Sequence, residues 1–259
     1  MSGTDWDYTQ LAGSYWGRPG YARSAIDWMV EVVDAATGSR CCDIGAGTGH
    51  LTMPLLESGL LVDAVEPNTS MRDIGIERSA SSSGVRWFAA TAEQTELTDN
   101  AYALVTFGSS LNVTHVDLAL TEAARILEPG GWMACMWNHR DLTDPLQGEI
   151  EALIHDRVPD YQYGARRANP TQAIESSGLF ASASAFVATQ DHTVSVDRWL
   201  EAWRSHATLA RQAGAQFASV GDDIQRLGGS RGVTARVFVP VSTLGWGRLF
   251  YTSPHPTHL

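Results

Sequence analysis

Asp43-Ile44-Gly45-Ala46-Gly47-Thr48-Gly49 is where residue types and spacing point most directly to chemistry in this 259-residue chain. Glycine lets a backbone approach a ligand closely, because no Cβ stands in the way. Cys41 to Ile44 reads as a buried strand, and His50-Leu51-Thr52 as the start of a helix. The next apolar run, Leu60 to Val65, closes on Glu66. A carboxylate at the tip of a second strand accepts hydrogen bonds from ribose hydroxyls. Glycine turn and acid together form a device for holding a nucleoside.

Two nucleosides compete for it. The dinucleotide fingerprint is Gly-x-Gly-x-x-Gly with an acid about 20 residues on. Here the third glycine, Gly49, falls one place early. Asp43 also precedes the first glycine by two residues, which gains nothing beside an anionic pyrophosphate and suits a cationic sulfonium. The motif favours a sulfonium nucleoside and leaves a nicotinamide or flavin dinucleotide as the competing reading.

Strands and helices alternate around these residues, as a parallel sheet covered on both faces requires. The spacing predicts a helix over 21–36, with Ile26, Met29, Val30 and Val33 on one face. Strands are expected to end at Ile44 and Val65 and to cover 85–89, 102–107 and 132–137. Helices are expected over 50–58, after Asn68-Thr69-Ser70, and over 117–126, stopping at Glu128-Pro129-Gly130-Gly131. Beyond that the rhythm changes. Helices are expected over 146–154, 196–211 and 215–227, strands over 186–192 and 233–241, and an irregular stretch over 161–170.

Composition narrows the classes. Net charge is −11, which argues against nucleic acid, whose backbone calls for a basic surface. Three cysteines, two of them adjacent in an apolar run, pack as small hydrophobes rather than forming a disulfide framework. No Cys/His spacing suggests zinc, so no metal is expected. The acidic N-terminus is unlike a signal peptide and no apolar run is long enough for a membrane span, which places the protein in the cytoplasm, away from membranes.

The motifs, taken in order, resemble those of the class I S-adenosylmethionine (SAM) methyltransferases. Asp43 to Gly49 matches the first motif. Val65-Glu66-Pro67-Asn68, followed by Met71, matches the ribose segment. Ala90-Thr91-Ala92-Glu93, with Leu97 and Asp99, matches the adenine segment, and Leu127 to Gly131 the turn before the fifth strand. The resemblance covers roughly residues 35–140. Tyr15-Trp16-Gly17-Arg18-Pro19-Gly20-Tyr21 and Trp137-Asn138-His139-Arg140-Asp141 are similar to the narrower trans-aconitate-type subgroup. The subgroup carries an aromatic/His pair after the fourth strand, but this chain has Asn112 and Val113 there.

The resemblance implies an α/β, Rossmann-like, doubly wound sheet of seven strands with the last antiparallel. One domain over 1–259 divides into lid helices (1–36), a SAM-binding core (37–140), an α-rich acceptor region (141–230), and a final strand and tail (231–259). It implies SAM as cofactor and S-adenosylhomocysteine as product. Implied cofactor contacts are Arg18, Asp43, Gly45, Ala46, Gly47, Glu66, Pro67, Met71, Thr91, Ala92, Glu93, Phe107 and Gly108. Asp43 also reads as a turn-stabilising carboxylate, and Glu93 as a helix-start acid. Arg18 suits the cofactor carboxylate or a surface ion pair.

Methyl transfer from a sulfonium needs alignment and exclusion of water more than acid–base help. An amine needs only a free lone pair, whereas a hydroxyl usually needs a base. Catalytic candidates are Asn112, His115, His139 and Tyr15, with His206 and Asp141 behind them. Tyr8, Trp16, Asn112, Trp137 and Arg204 are the candidate substrate contacts, and Tyr21 is a lid residue. Arg140, Arg166 and Arg167 join Arg204 as candidate partners for an acidic acceptor. The expected reaction is methyl transfer to a nitrogen of a small molecule, in secondary metabolism such as antibiotic biosynthesis. Transfer to a hydroxyl or carboxylate, or cofactor binding without transfer, are the alternatives. A homo-oligomer is compatible with all three.

Overall fold

Short apolar runs with buried residues on both faces form the centre of this protein, and amphipathic helices cover them. A computed structural model describes residues 9, 12–15, 18, 20–162, 170–180, 185–230 and 236–247. In chain order, α1 (Ala12–Tyr15) and α2 (Arg23–Val33) lead into β1 (Arg40–Ile44). Then come α3 (Thr52–Glu57), β2 (Leu61–Val65), α4 (Thr69–Ser79), β3 (Val85–Phe88) and β4 (Tyr102–Gly108). After α5 (Val116–Ile126) and β5 (Leu127–Arg140) follow α6 (Pro145–Arg157), α7 (Thr171–Ser176) and β6 (Ala185–Ser195). Finally α8 (Val196–Arg204), α9 (Ala207–Ala213) and α10 (Phe217–Ser230) precede β7 (Arg236–Gly247).

The strands pair in the order β3-β2-β1-β4-β5-β7-β6. The first five are parallel, in the Rossmann-like pattern that the motifs imply. β7 runs antiparallel to both β5 and β6. Four of the five residues in β1 and in β2 are buried, as expected for strands covered on both faces.

Alternation along β5 feeds two cores. Met133, Cys135 and Trp137 pack with Ala119, Leu120 and Ala123 of α5. Ala134 and Met136 pack with Ala25, Ile26 and Met29 of α2 and Leu55 of α3. A third cluster joins Ile150 and Ile154 of α6 to Trp199 and Trp203 of α8, Leu209 of α9 and Ile224 of α10. Its α8 packs on β6 and β7, at the β6 edge of the sheet.

Some boundaries differ from the sequence expectation, each for a local reason. The helix expected to reach residue 36 ends at Val33, where Asp34 turns left-handed at φ 51°. The single helix expected over 196–211 breaks at Ser205, and the His206 ring accepts the Leu209 N–H at 3.2 Å to start α9. β5 begins at Leu127, with the Glu128–Gly131 turn included as an irregularity in its ladder. α7 follows the stretch read as irregular and was not expected.

Candidate active site

The strand order reverses between β1 and β4. In open α/β sheets the crevice beyond the carboxyl ends at such a switch point is where ligands bind. The glycine turn follows β1, and Ser109-Ser110 follow β4. Gly45, Gly47 and Gly49 have φ of 68°, 57° and 83°, a region that strains any residue with a Cβ. At Gly45 a Cβ would also lie 2.4 Å from Ser110 Cβ. Ser110 Oγ donates to the Ile44 carbonyl at 2.6 Å and pins the two strand tips together.

The N–H groups of Gly45, Ala46 and Gly47 are already used. Gly45 and Ala46 donate to the Val65 carbonyl at 2.8 and 3.0 Å, and Gly47 donates to Glu66 Oε2 at 2.8 Å. This corrects the expectation that they face a ligand. These three positions contribute shape rather than donors to a ligand. The other carboxylate oxygen of Glu66 accepts the Asn68 N–H at 2.8 Å. Each oxygen keeps a second lone pair, so Glu66 retains room for two hydroxyls. Burial pushes its carboxyl above the ordinary range, against the pull of the Asn68 and Gly47 N–H groups. Asn68 also caps α4 by accepting the Met71 N–H at 3.1 Å, and the buried Met71 side chain reaches the Gly47 face of the turn.

Asp43 behaves differently from a cofactor contact. It is 0% exposed and accepts from Thr52 Oγ1 at 2.7 Å and Thr106 Oγ1 at 3.0 Å. Burial raises its pKa to about 6 despite those two bonds. The turn-stabilising role is the one its partners support. Phe107 is likewise turned wholly into the core, a second correction. At Gly108 a Cβ would stand 2.9 Å from Tyr21 Oη and 3.3 Å from Leu51, so its backbone packs close against both.

On the adenine side, Ala92 is buried, Thr91 is exposed, and Glu93 Oε1 accepts the His115 N–H at 2.8 Å. Glu93 thus serves the start of α5. Pro67 is exposed beside Glu66, and its carbonyl accepts from Arg72 at 3.2 Å. His115 is exposed at the head of α5, its N–H held by Glu93, and Arg204 is exposed at the end of α8. Asn112 is half-buried in a 3-10 turn (Leu111–Val113) just beyond β4. Trp137 is 6% exposed, and its indole Nε1 has no hydrogen-bond partner among the described residues. Tyr8, Trp16, Arg166 and Arg167 lie outside the described residues, as does the side chain of His139.

A strap from the N-terminus crosses this edge. Asn68 Nδ2 donates to Thr9 Oγ1 at 3.1 Å. Tyr21 Oη and Ser109 Oγ lie 3.1 Å apart, and Asn138 Nδ2 donates to the Gly20 carbonyl at 2.9 Å. Arg18 lies 4.2 Å over the Tyr15 ring and donates to the Ser205 carbonyl. That anchor corrects its assignment to a cofactor carboxylate. His50 Nε2 donates to the Arg18 carbonyl at 3.2 Å, which leaves Nδ1 to accept from Thr48 Oγ1 at 3.0 Å. Tyr15 packs edge-on against the His50 ring at 5.9 Å.

Comparison with known proteins bears directly on this crevice. Residues 42–135 match the Methyltransferase domain family. The matched stretch runs from within β1, across the glycine turn, to within β5. An uncharacterized methyltransferase of Mycobacterium tuberculosis is 40% identical over 125 residues, covering 48% of this chain and 49% of that protein. A ubiquinone/menaquinone biosynthesis C-methyltransferase of Zymomonas mobilis is 31% identical over 113 residues, covering 42% of this chain and 47% of that one. The chain therefore spans about half the length of the curated relatives it matches. A solved candidate type II methyltransferase of Anaeromyxobacter dehalogenans superposes with a TM-score of 0.68 at 19% identity, covering 91% of this chain and 99% of that one. The fold is the Rossmann-like one of methyltransferases.

Against that methyltransferase fold, three residues gain importance that the sequence reading passed over. His50 ties the strap to the glycine turn. Ser109 sits at φ 58° at the tip of β4, a strained conformation for a serine. Asn138 anchors the strap to β5. The run Gly108-Ser109-Ser110 and the His beside the glycines were the available signals.

Proposed function

We propose that this chain is a SAM-dependent methyltransferase that transfers the methyl group to a nitrogen of a small molecule. The single observation that carries the cofactor reading is Glu66. It sits at the tip of β2, buried, bonded to the glycine turn, and with lone pairs left for two ribose hydroxyls. A dinucleotide reading gains nothing from this geometry, because the turn's first three N–H groups are already engaged. Met71 and Ala92 border the nucleoside side, and Gly108 the methyl-donor side.

SAM, when bound, supplies a methyl group on a good leaving group. The residues of this chain then exclude water and align the acceptor. Tyr15, Arg18, Gly20 and Tyr21 close over the crevice edge, while Asn112 and Trp137 border the acceptor. Nitrogen is favoured because, of the histidines expected from sequence whose side chains are described, neither stands as a base over the crevice. His115 is exposed, and the His206 ring caps α9 through Nδ1. An amine lone pair needs no such base. No group of three or more metal-ligating side chains occurs among the described residues, and turnover is expected to survive chelation. A role in secondary metabolism, in the cytoplasm, belongs to the same reading.

Methylation of carbon on an electron-rich ring is the second reading. The Zymomonas relative, named as a C-methyltransferase, favours it. Purified protein incubated with SAM and separate panels of amines and quinols tests both. S-adenosylhomocysteine formed with amines supports the proposal. Product formed only with quinols transfers the reaction to carbon, and no product with either panel overturns methyl transfer to small molecules of these classes.

A further inference from the structure

Residues from β1, β3, β4 and the loop joining β3 to β4 line a cleft of about 510 Å³ that methyl transfer does not use. Two arginines stand in it around one carboxylate. Asp63, whose side chain is 6% exposed, accepts from Arg86 Nε on Oδ1 at 2.8 Å. Its Oδ2 accepts from Arg86 Nη2 at 2.7 Å, Arg40 Nη2 at 2.9 Å and Tyr102 Oη at 2.6 Å. Two guanidiniums against one carboxylate leave one positive charge over, in a chain whose net charge is −11.

Donors are left over too. A guanidinium carries five N–H groups. Arg86 grips Asp63 by the edge that holds Nε, so Nη1 and the second N–H of Nη2 remain. Those groups form the other edge of the fork, whose parallel N–H groups match the two oxygens of a carboxylate. Arg40 uses Nη2 alone, toward Asp63 and toward Tyr102 Oη at 3.0 Å, and keeps Nε and Nη1. The two side chains are 63% and 39% exposed, so a ligand in the cleft reaches them. Both are also held in place beforehand, by Asp63 and by the rings of Phe88 at 5.6 Å and Tyr102 at 4.5 Å. A fork held in this way loses little freedom on binding. Glu96 lines the same cleft, exposed and at a left-handed φ of 60°, and forms no ion pair with a described residue. The nearby Asp99 is paired with Arg125. A simple anion in the cleft meets repulsion from Glu96, and a simple cation meets it from the guanidiniums. A molecule that carries both charges complements both.

We propose that this cleft binds a small aminocarboxylate, with its carboxylate on the free edge of Arg86 beside Arg40 and its ammonium on Glu96. It is a ligand site separate from the crevice around Glu66, and it stands whether or not the chain transfers methyl groups.

Glycine, β-alanine and γ-aminobutyrate, whose two charges stand progressively farther apart, are the probes. Acetate and ethylamine are the single-charge controls. Titrations of the full chain at low ionic strength follow the arginine Nε–H signals in nitrogen-15 spectra, and Arg86→Gln assigns the Arg86 signal by its disappearance. At least one of the three probes is expected to bind about tenfold or more tightly than either control, shifting the Arg86 signal. Arg86→Gln is expected to weaken that probe by about tenfold or more, and Glu96→Gln to bring it down to the affinity of acetate. Glu96 lies on an exposed loop, so its variant reads the site even if Arg86→Gln disturbs the packing around Asp63. Binding of none of the three probes overturns the proposal. So does acetate binding as tightly as they do, a preference that survives in Glu96→Gln, or unchanged binding in a folded Arg86→Gln; each leaves the two arginines as a clamp on Asp63 alone.

Discussion

Asp43 and Glu66 are both buried carboxylates near the glycine turn, and their partners separate their roles. Glu66 is bonded by backbone N–H groups at the crevice and keeps lone pairs for a ligand. Asp43 lies one layer deeper, bonded by two threonine hydroxyls. Burial holds its pKa near 6, above the ordinary 3.8. Between those values the folded protein keeps a proton that the unfolded chain has lost. Stability from this group therefore falls as pH rises through that window, by about 3 kcal/mol at most. Asp43→Asn removes the titration. Denaturant unfolding at pH 4 and pH 6 should show a smaller decline for the variant than for wild type, and an equal decline would mean that Asp43 ionises normally in the fold. The sequence placed both acids beside the turn. Which of them faces the crevice was not legible, because it depends on Thr106, brought from a distant strand. The same limit applies to Phe107 and Arg18: strand phase and a C-cap more than a hundred residues away decide where they point.

Among the elements, α4 and the strap carry the clearest tests. A Cβ on Gly75, in α4, would come within 2.1 Å of the Trp87 ring of β3, and Trp87 Nε1 donates to Ser79 Oγ at 3.0 Å. Gly75→Ala should destabilise the fold by about 1–3 kcal/mol through overpacking, measured by urea unfolding. An unchanged midpoint would mean that the helix and Trp87 shift freely. The strap is held at Gly20 by Asn138. Asn138→Ala should speed hydrogen exchange severalfold across residues 12–22 while β2 stays protected, and uniform exchange in variant and wild type would deny Asn138 that role. Element existence was readable along the core because each strand is a short apolar run bounded by a turn. The break between α8 and α9 was not, since it arises from His206 capping inside an otherwise continuous helical pattern.

At the scale of the whole molecule, charge is sorted by the two ends of the sheet. At the starts of the strands, Asp63 accepts from Arg40, Arg86 and Tyr102, whose donors hold its carboxyl below the usual range despite burial. Arg40, Arg86 and Tyr102 border a cleft of about 510 Å³ that also touches Glu96 and Thr98. At the strand ends lies the crevice built around Glu66, between strap and helical cap. Sequence motifs located that second end through its glycines, while the apolar cluster of α6, α8, α9 and α10 left no motif to read. The most direct test of the central claim is calorimetric titration of wild type and Glu66→Ala with S-adenosylhomocysteine, with NAD and NADP in parallel. Wild type is predicted to bind S-adenosylhomocysteine at micromolar affinity or tighter and neither dinucleotide, with Glu66→Ala weaker by about 1–3 kcal/mol. Dinucleotide binding without S-adenosylhomocysteine binding, or a folded Glu66→Ala of unchanged affinity, would contradict it.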